Sequence, residues 1–178
     1  MQQWTTITAH AALFGAALFT LTGCGGGAED EKNPLFADVV FEGGADSKAL
    51  EALLAVATKD DPAHGAVIDS PPTGIVLRSS EVTPFTWHPR DGATAKPGAP
   101  PLNGAGYFLL FSTDTTPRLL RVFTTKTSYT PSAAAWATLD SAKTWTTLDI
   151  FAANFVDDAL APGGGPFKGT SIAFCIEP

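Results

Sequence analysis

The chain has 178 residues, of which 44% are hydrophobic and 16% charged, with a formal net charge of −7. That length suits one domain with a short appendage; the apolar content excludes a disordered chain, and 17 glycines and 14 prolines are too few for a fibrous one. An acidic balance argues against a nucleic-acid partner, which needs a basic face.

Residues 1–28 contain no Asp, Glu, Lys or Arg. Within them, Ala11–Leu21 is an apolar run of signal-peptide length, leading to Leu21-Thr22-Gly23-Cys24 and then Gly25-Gly26-Gly27. An aliphatic residue, two small residues and a Cys in this position resemble the bacterial lipoprotein lipobox. The resemblance implies removal of residues 1–23 and acylation of Cys24. Small residues let the backbone enter a peptidase cleft, and the thiol is the nucleophile that takes the lipid. Acyl chains contribute ~0.8 kcal/mol per buried CH₂, so several on one Cys hold a protein stably at a membrane. Gly25 rather than Asp follows the Cys, which by resemblance to the enterobacterial sorting rule implies the outer membrane of a Gram-negative cell envelope. The pattern departs from the family in its first ten residues, which hold no Lys or Arg. A retained membrane-spanning segment over Trp4–Thr22 is the alternative, although the Gly-Cys-Gly-Gly-Gly ending favours cleavage. With Cys24 lipidated, Cys175 has no partner for an intrachain disulfide and reads as a small packing residue in an apolar strand.

Charge divides the remainder. Residues 24–70 hold ten acids against three lysines, whereas residues 71–178 hold eight acids and eight bases. The acidity reads as a solvated tether near the membrane, with residues 24–33 a flexible spacer. No loop has the Ca²⁺-binding spacing of acids. Pro34–Phe41 is a short apolar stretch with strand character, ended by Gly43-Gly44. Asp46 or Ser47 can cap a helix over 47–58, in which Leu50, Leu53, Leu54 and Ala57 share one face before Asp60-Asp61-Pro62 stops it. About three turns are not stable alone, so residues 34–65 are expected to pack on the domain that follows.

From residue 66 the pattern becomes short strands. Ile75–Leu77 is followed by Val82–Trp87, where Phe85 and Trp87 share a face opposite Pro84, Thr86 and His88. A polar loop over 89–104 precedes Tyr107–Phe111, then Arg118–Thr125, Ser128–Pro131, Thr144–Ala153 and Thr170–Ile176. Six or seven such strands with turn signals between them imply a β-sandwich over 66–178. Pro84-Phe-Thr-Trp87 resembles strand B of a fibronectin type III or related immunoglobulin-like module, with Gly106–Phe111 similar to strand C, Thr127–Pro131 to strand E and Leu139 to the core Leu between E and F. Trp145–Phe155 is similar to strand F and Thr170–Ile176 to strand G. The resemblance implies a mainly β, immunoglobulin-like antiparallel sandwich with a short N-terminal helix. It departs where Trp145 stands for the family's Tyr, and no Arg-Gly-Asp occurs, so integrin adhesion is not implied. Tyr107, Leu109 and Phe111 face the core, yet Phe108 and Leu110 opposite them are also large and apolar. A strand apolar on both faces is covered on both, by the 47–58 helix or by a partner.

Chemistry is sparse in the sequence. No G-x-S-x-G is present, and Gly163-Gly164-Gly165 lacks the Lys-[Ser/Thr] of a phosphate loop. His64 and His88 do not have a recognised metal-ligand spacing; a small metalloenzyme or metal carrier built on them is a third reading. Asp60-Asp61 and Asp157-Asp158 read as solvated loop acids. Trp145 reads as core; Trp136 is the candidate for stacking on a sugar ring. The sequence therefore implies a non-catalytic, lipid-anchored envelope protein with no cofactor or metal, held at the membrane through Cys24, presenting a β-sandwich to an envelope protein or surface. The alternative is a glycan-binding module using Trp136 and the 89–104 and 156–169 loops.

Overall fold

The computed structural model describes residues 34–90 and 100–178. A 3-10 turn, Pro34–Phe36, leads into β1 (Val39–Glu42), α1 (Ser47–Leu54), β2 (Lys59–Asp60), β3 (Ala66–Ser70), β4 (Ile75–Arg78) and β5 (Phe85–Pro89). Then come β6 (Gly104–Ser112), β7 (Leu120–Thr124), β8 (Ser128–Tyr129), α2 (Ala133–Ser141), β9 (Thr146–Val156), β10 (Ala159–Leu160), β11 (Phe167–Lys168) and β12 (Ile172–Glu177). The fold is mainly β, and the strands form two sheets. The smaller has the order β3-β5-β8; the larger runs β1-β7-β6-β9-β11-β2, with β10 and β12 also on β9 and β4 on β12.

The alternation of β6 dictates the layers. Tyr107, Leu109 and Phe111 point to the smaller sheet and Phe108 and Leu110 to the opposite side, each set apolar. Between the sheets, Phe85 meets Phe111 edge-on at 5.2 Å and Trp87 meets Tyr107 edge-on at 5.6 Å between ring centroids. Val122, Leu148, Ile150 and Phe174 complete this core, each buried. The second core lies on the outer face of the large sheet, where Phe108, Phe123 and Phe155 pack with Leu50 and Leu53 of α1 and with Phe36. Asp46 starts that helix by accepting from the Ala49 amide at 2.9 Å, which satisfies one of its orphan N–H groups.

Several elements depart from expectation. The helix ends at Leu54 because the next residues are drawn into β2, which pairs in parallel with β11; the Lys59 amide donates to Pro166 O at 3.0 Å. Leu54 is therefore exposed, not buried on the predicted face. The segment around Trp136, expected as a loop or single turn, is α2, capped by Ser132. The 156–169 connection contributes β10 and β11 to the free edge of β9. Its Gly164 is required by a close approach, since a Cβ there would stand 2.8 Å from Asn154 O and 2.9 Å from Ala161 O. Trp145 is half exposed rather than core. On β9 the even-numbered Thr146, Leu148 and Ile150 turn inward and are buried, and the residue before Thr146 falls on the other face, because side chains alternate along a strand.

Trp87 fills the inter-sheet core at 2% exposure. Trp87→Ala is expected to cost ~3–5 kcal/mol, read from the denaturant midpoint at constant m; a loss under about 1 kcal/mol would show that this packing is wrong.

Candidate functional site

The strand alternation that builds the outer core also exposes part of it. Register sets two rows across the large sheet: Phe123, Phe108 and Phe151 in one, Arg121, Leu110 and Asp149 in the next. The helix α1 has eight residues and seats Leu50 and Leu53 over the first row. Beyond its end a groove opens. Its walls are Leu53, Leu54 and Thr58 from the helix side and Phe108, Leu110 and Phe151 from the sheet, and Arg118 and Arg121 border it. The cavity volume is about 190 Å³. An outer depression of about 350 Å³ continues from it past Leu35, Phe36, Glu51 and Ala55, sharing Leu54 and both arginines. Past Phe151 the face turns polar: Asp149 pairs with Lys168 at 3.0 Å and accepts from the Ser171 hydroxyl.

The two arginines differ. Arg121 lies on β7 with its side chain 8% exposed. Its Nε donates to Asp38 Oδ2 at 2.9 Å, Nη2 donates to Asp38 Oδ1, and Nη2 also reaches Leu35 O at 3.2 Å. The bidentate guanidinium holds the Asp38 carboxyl below the usual aspartate range, with partial burial opposing it. Arg118 lies in the exposed turn before β7 and makes no ion pair among the described residues; it feels Asp38 only at longer range. Among the described residues, then, one guanidinium at the groove has no carboxylate bound to it.

The residues singled out from the sequence fall elsewhere. Cys24 and the Leu21-Thr22-Gly23 before it, expected as a lipobox, lie outside the described residues, as does the 91–99 part of the 89–104 loop. Trp136 is 5% exposed and its indole N–H donates to Ser79 O at 2.9 Å, so it offers no face to a sugar: α2 turns the ring into the core beside Leu139. His64 and His88 do not form a joint site. His64 Nδ1 meets Asp61 at 2.8 Å with its ring tilted over Phe167, and His88 Nδ1 meets Asp69 at 2.8 Å. The His64 contact lowers the Asp61 pKa. Beside His64 the cleft holds only about 10 Å³, room for about one water. Among the described residues no three His, Cys, Asp or Glu side chains gather as a metal site. Asp157 and Asp158 pin a turn: Asp157 N–H donates to Asn103 Oδ1 at 3.1 Å, and Asp158 accepts from the Leu102 amide. Cys175 is buried. Among the described residues no helix is long and apolar enough to cross a membrane.

Sequence reasoning did not single out Arg118 and Arg121. The available signal was Phe108 and Leu110, which demanded a cover larger than a short helix provides. Compared with known proteins, the chain matches no family model, no curated protein and no solved structure.

Two outcomes test this placement. Trp136→Ala is expected to lose ~3–5 kcal/mol and Trp145→Ala to stay within ~0.5 kcal/mol; equal effects in urea unfolding would contradict it. Asp38 has a folded pKa below its unfolded one, so its contribution is fully present above about pH 4 and is lost as pH falls through the folded value. Asp38→Asn should cost about 1–3 kcal/mol at neutral pH, less than a fully buried pair because Asp38 is 60% exposed. The gap from wild type should narrow below about pH 4; a gap independent of pH would remove the ion pair from the account.

Proposed function

We propose that the chain is a non-catalytic, lipid-anchored cell-envelope protein, held at the outer membrane of a Gram-negative bacterium through Cys24, whose sandwich acts by binding on its outer face. The observation that carries the binding role is the groove beyond α1, where Leu54, Leu110 and Phe151 leave apolar surface partly open beside two guanidiniums. Concave apolar surface with a few polar groups at its border is the usual form of a ligand site. The two His–Asp pairs do not line it. The anchor rests on Leu21-Thr22-Gly23-Cys24 and the Gly-rich, acidic spacer after it.

We read the domain as immunoglobulin-like, of fibronectin type III character. Taking β5 as strand B, β6 as C, β8 as E, β9 as F and β12 as G, the pairing sets B with E in one sheet and C, F and G in the other, the arrangement of that architecture. Additions particular to this chain are β1 parallel to β7, and α2 between β8 and β9.

Intact mass and membrane partition of the native protein beside Cys24→Ser test the anchor. The wild type should begin at Cys24, carry acyl mass and sit in the membrane fraction, and the variant should lack the lipid. Retention of residues 1–23 in both would overturn the anchor and make that segment the membrane attachment.

A further inference from the structure

We propose that the groove beyond α1 binds a single-chain amphiphile with an anionic head, its chain lying on Leu54, Phe108, Leu110 and Phe151 and its head on Arg118. This deepens the reading of the groove as the binding surface and rests on it. The first argument is shape. The feature is a concave slot of about 190 Å³ beside a shallower depression of about 350 Å³ that shares Leu54 and both arginines. Small-ligand sites are commonly about 300–1,000 Å³ and are lined mostly by apolar groups with a few polar ones. The slot alone is below that range, and slot with depression lies within it, which suits a narrow flexible chain rather than a fused ring system.

The second argument is charge. Arg118 and Arg121 border the inner slot, and Asp38 on Arg121 leaves one positive charge there, on a chain whose formal charge is −7; Glu51 joins them in the outer depression alone. Arg121 is occupied: both Asp38 oxygens and Leu35 O accept from it. Among the described residues no carboxylate is bound to the fork of N–H donors on Arg118, and a guanidinium matches a carboxylate or a phosphate bidentately. Glu51 lines the outer depression together with both arginines but does not line the inner slot, so an anion is favoured where Arg118 borders the slot. A neutral alkane would leave Arg118 unused, and a cationic amphiphile would be repelled by it.

Backbone amide shifts and calorimetry on full-chain Cys24→Ser, free of its own lipid, provide the test. Decanoate and decyl phosphate are the probes; decyltrimethylammonium keeps the chain and inverts the head, and acetate keeps a head without the chain. Decanoate or decyl phosphate should bind saturably and shift Leu54, Leu110 and Phe151, the tighter of the two naming the head. Decyltrimethylammonium should bind at least about 10-fold more weakly and acetate not at all. Arg118→Gln, at an exposed position, should weaken the anionic probe by about 10-fold, bring the two heads to parity and leave the melting temperature unchanged. Equal binding of both heads in the wild type, with groove shifts, would overturn the anionic assignment while the groove as binding surface stands. No groove shift with any amphiphile would overturn the binding surface as well. Groove signals that move with protein concentration alone would assign the face to a second copy of this chain and overturn the proposal. A protein that binds decanoate in the groove but is never acylated at Cys24 would leave the inference intact and remove only the anchor.

Discussion

A strand with no polar face has to be covered twice, and β6 sets that requirement for the whole molecule. Five consecutive large apolar residues, Tyr107 to Phe111, alternate between two sides. On one side the cover is a second sheet, which closes the Phe85–Phe111 and Trp87–Tyr107 contacts. On the other it is α1, two turns of helix that bring Ala49, Leu50 and Leu53. The helix itself is stable only because that face receives it. The two layers thus depend on one strand, and the mismatch in their sizes creates the groove.

Electrostatics then fixes the character of that opening. Arg121 stands in the outer row beside Leu110, where a lone cation would be costly to bury, and Asp38 offsets part of that cost by binding it bidentately. The same pair ties the segment before β1 to the sheet, so the 3-10 turn and its Phe36 are held over the second core. Arg118 shares the neighbourhood without sharing the carboxylate. An apolar slot with one engaged and one unengaged guanidinium has a direction along it, and that asymmetry separates a ligand site from a packing defect.

The sequence made some of this visible and concealed the rest for physical reasons. Period-two alternation announced Phe85 with Trp87 and Tyr107 with Leu109 and Phe111, because a sheet buried between layers leaves an unmistakable pattern. The helix start was visible in Asp46, and its early end was not, since it is set by a parallel pairing of Lys59 with Phe167 that no local pattern encodes. Trp136 and Trp145 exchanged roles. An Ala-rich stretch gives no clear periodicity, so α2 was hidden, and one residue of register decides on which side of β9 a tryptophan falls. The groove was half legible: Phe108 and Leu110 demanded a cover, but only the three-dimensional register places Arg121 beside Leu110 and shows where the helix stops. The resemblance of Leu21-Thr22-Gly23-Cys24 to a lipobox is a matter of local residue pattern, independent of the fold.

The parallel pairing of β4 with β12 sets the order in which the molecule can be completed. β4 is an early strand whose only partner among the described residues is the last one; the Ala173 amide donates to Thr73 Oγ1 across 100 residues of sequence. Pairings so distant close a long loop before they return any stabilisation, and chains rich in them fold slowly. During synthesis, then, β4 leaves the ribosome long before its mate, and Ile75 and Leu77 stay without their sheet until β12 arrives. Until β12 is in place the edge of β4 stays unpaired, and an unpaired strand edge is a template for association with another chain.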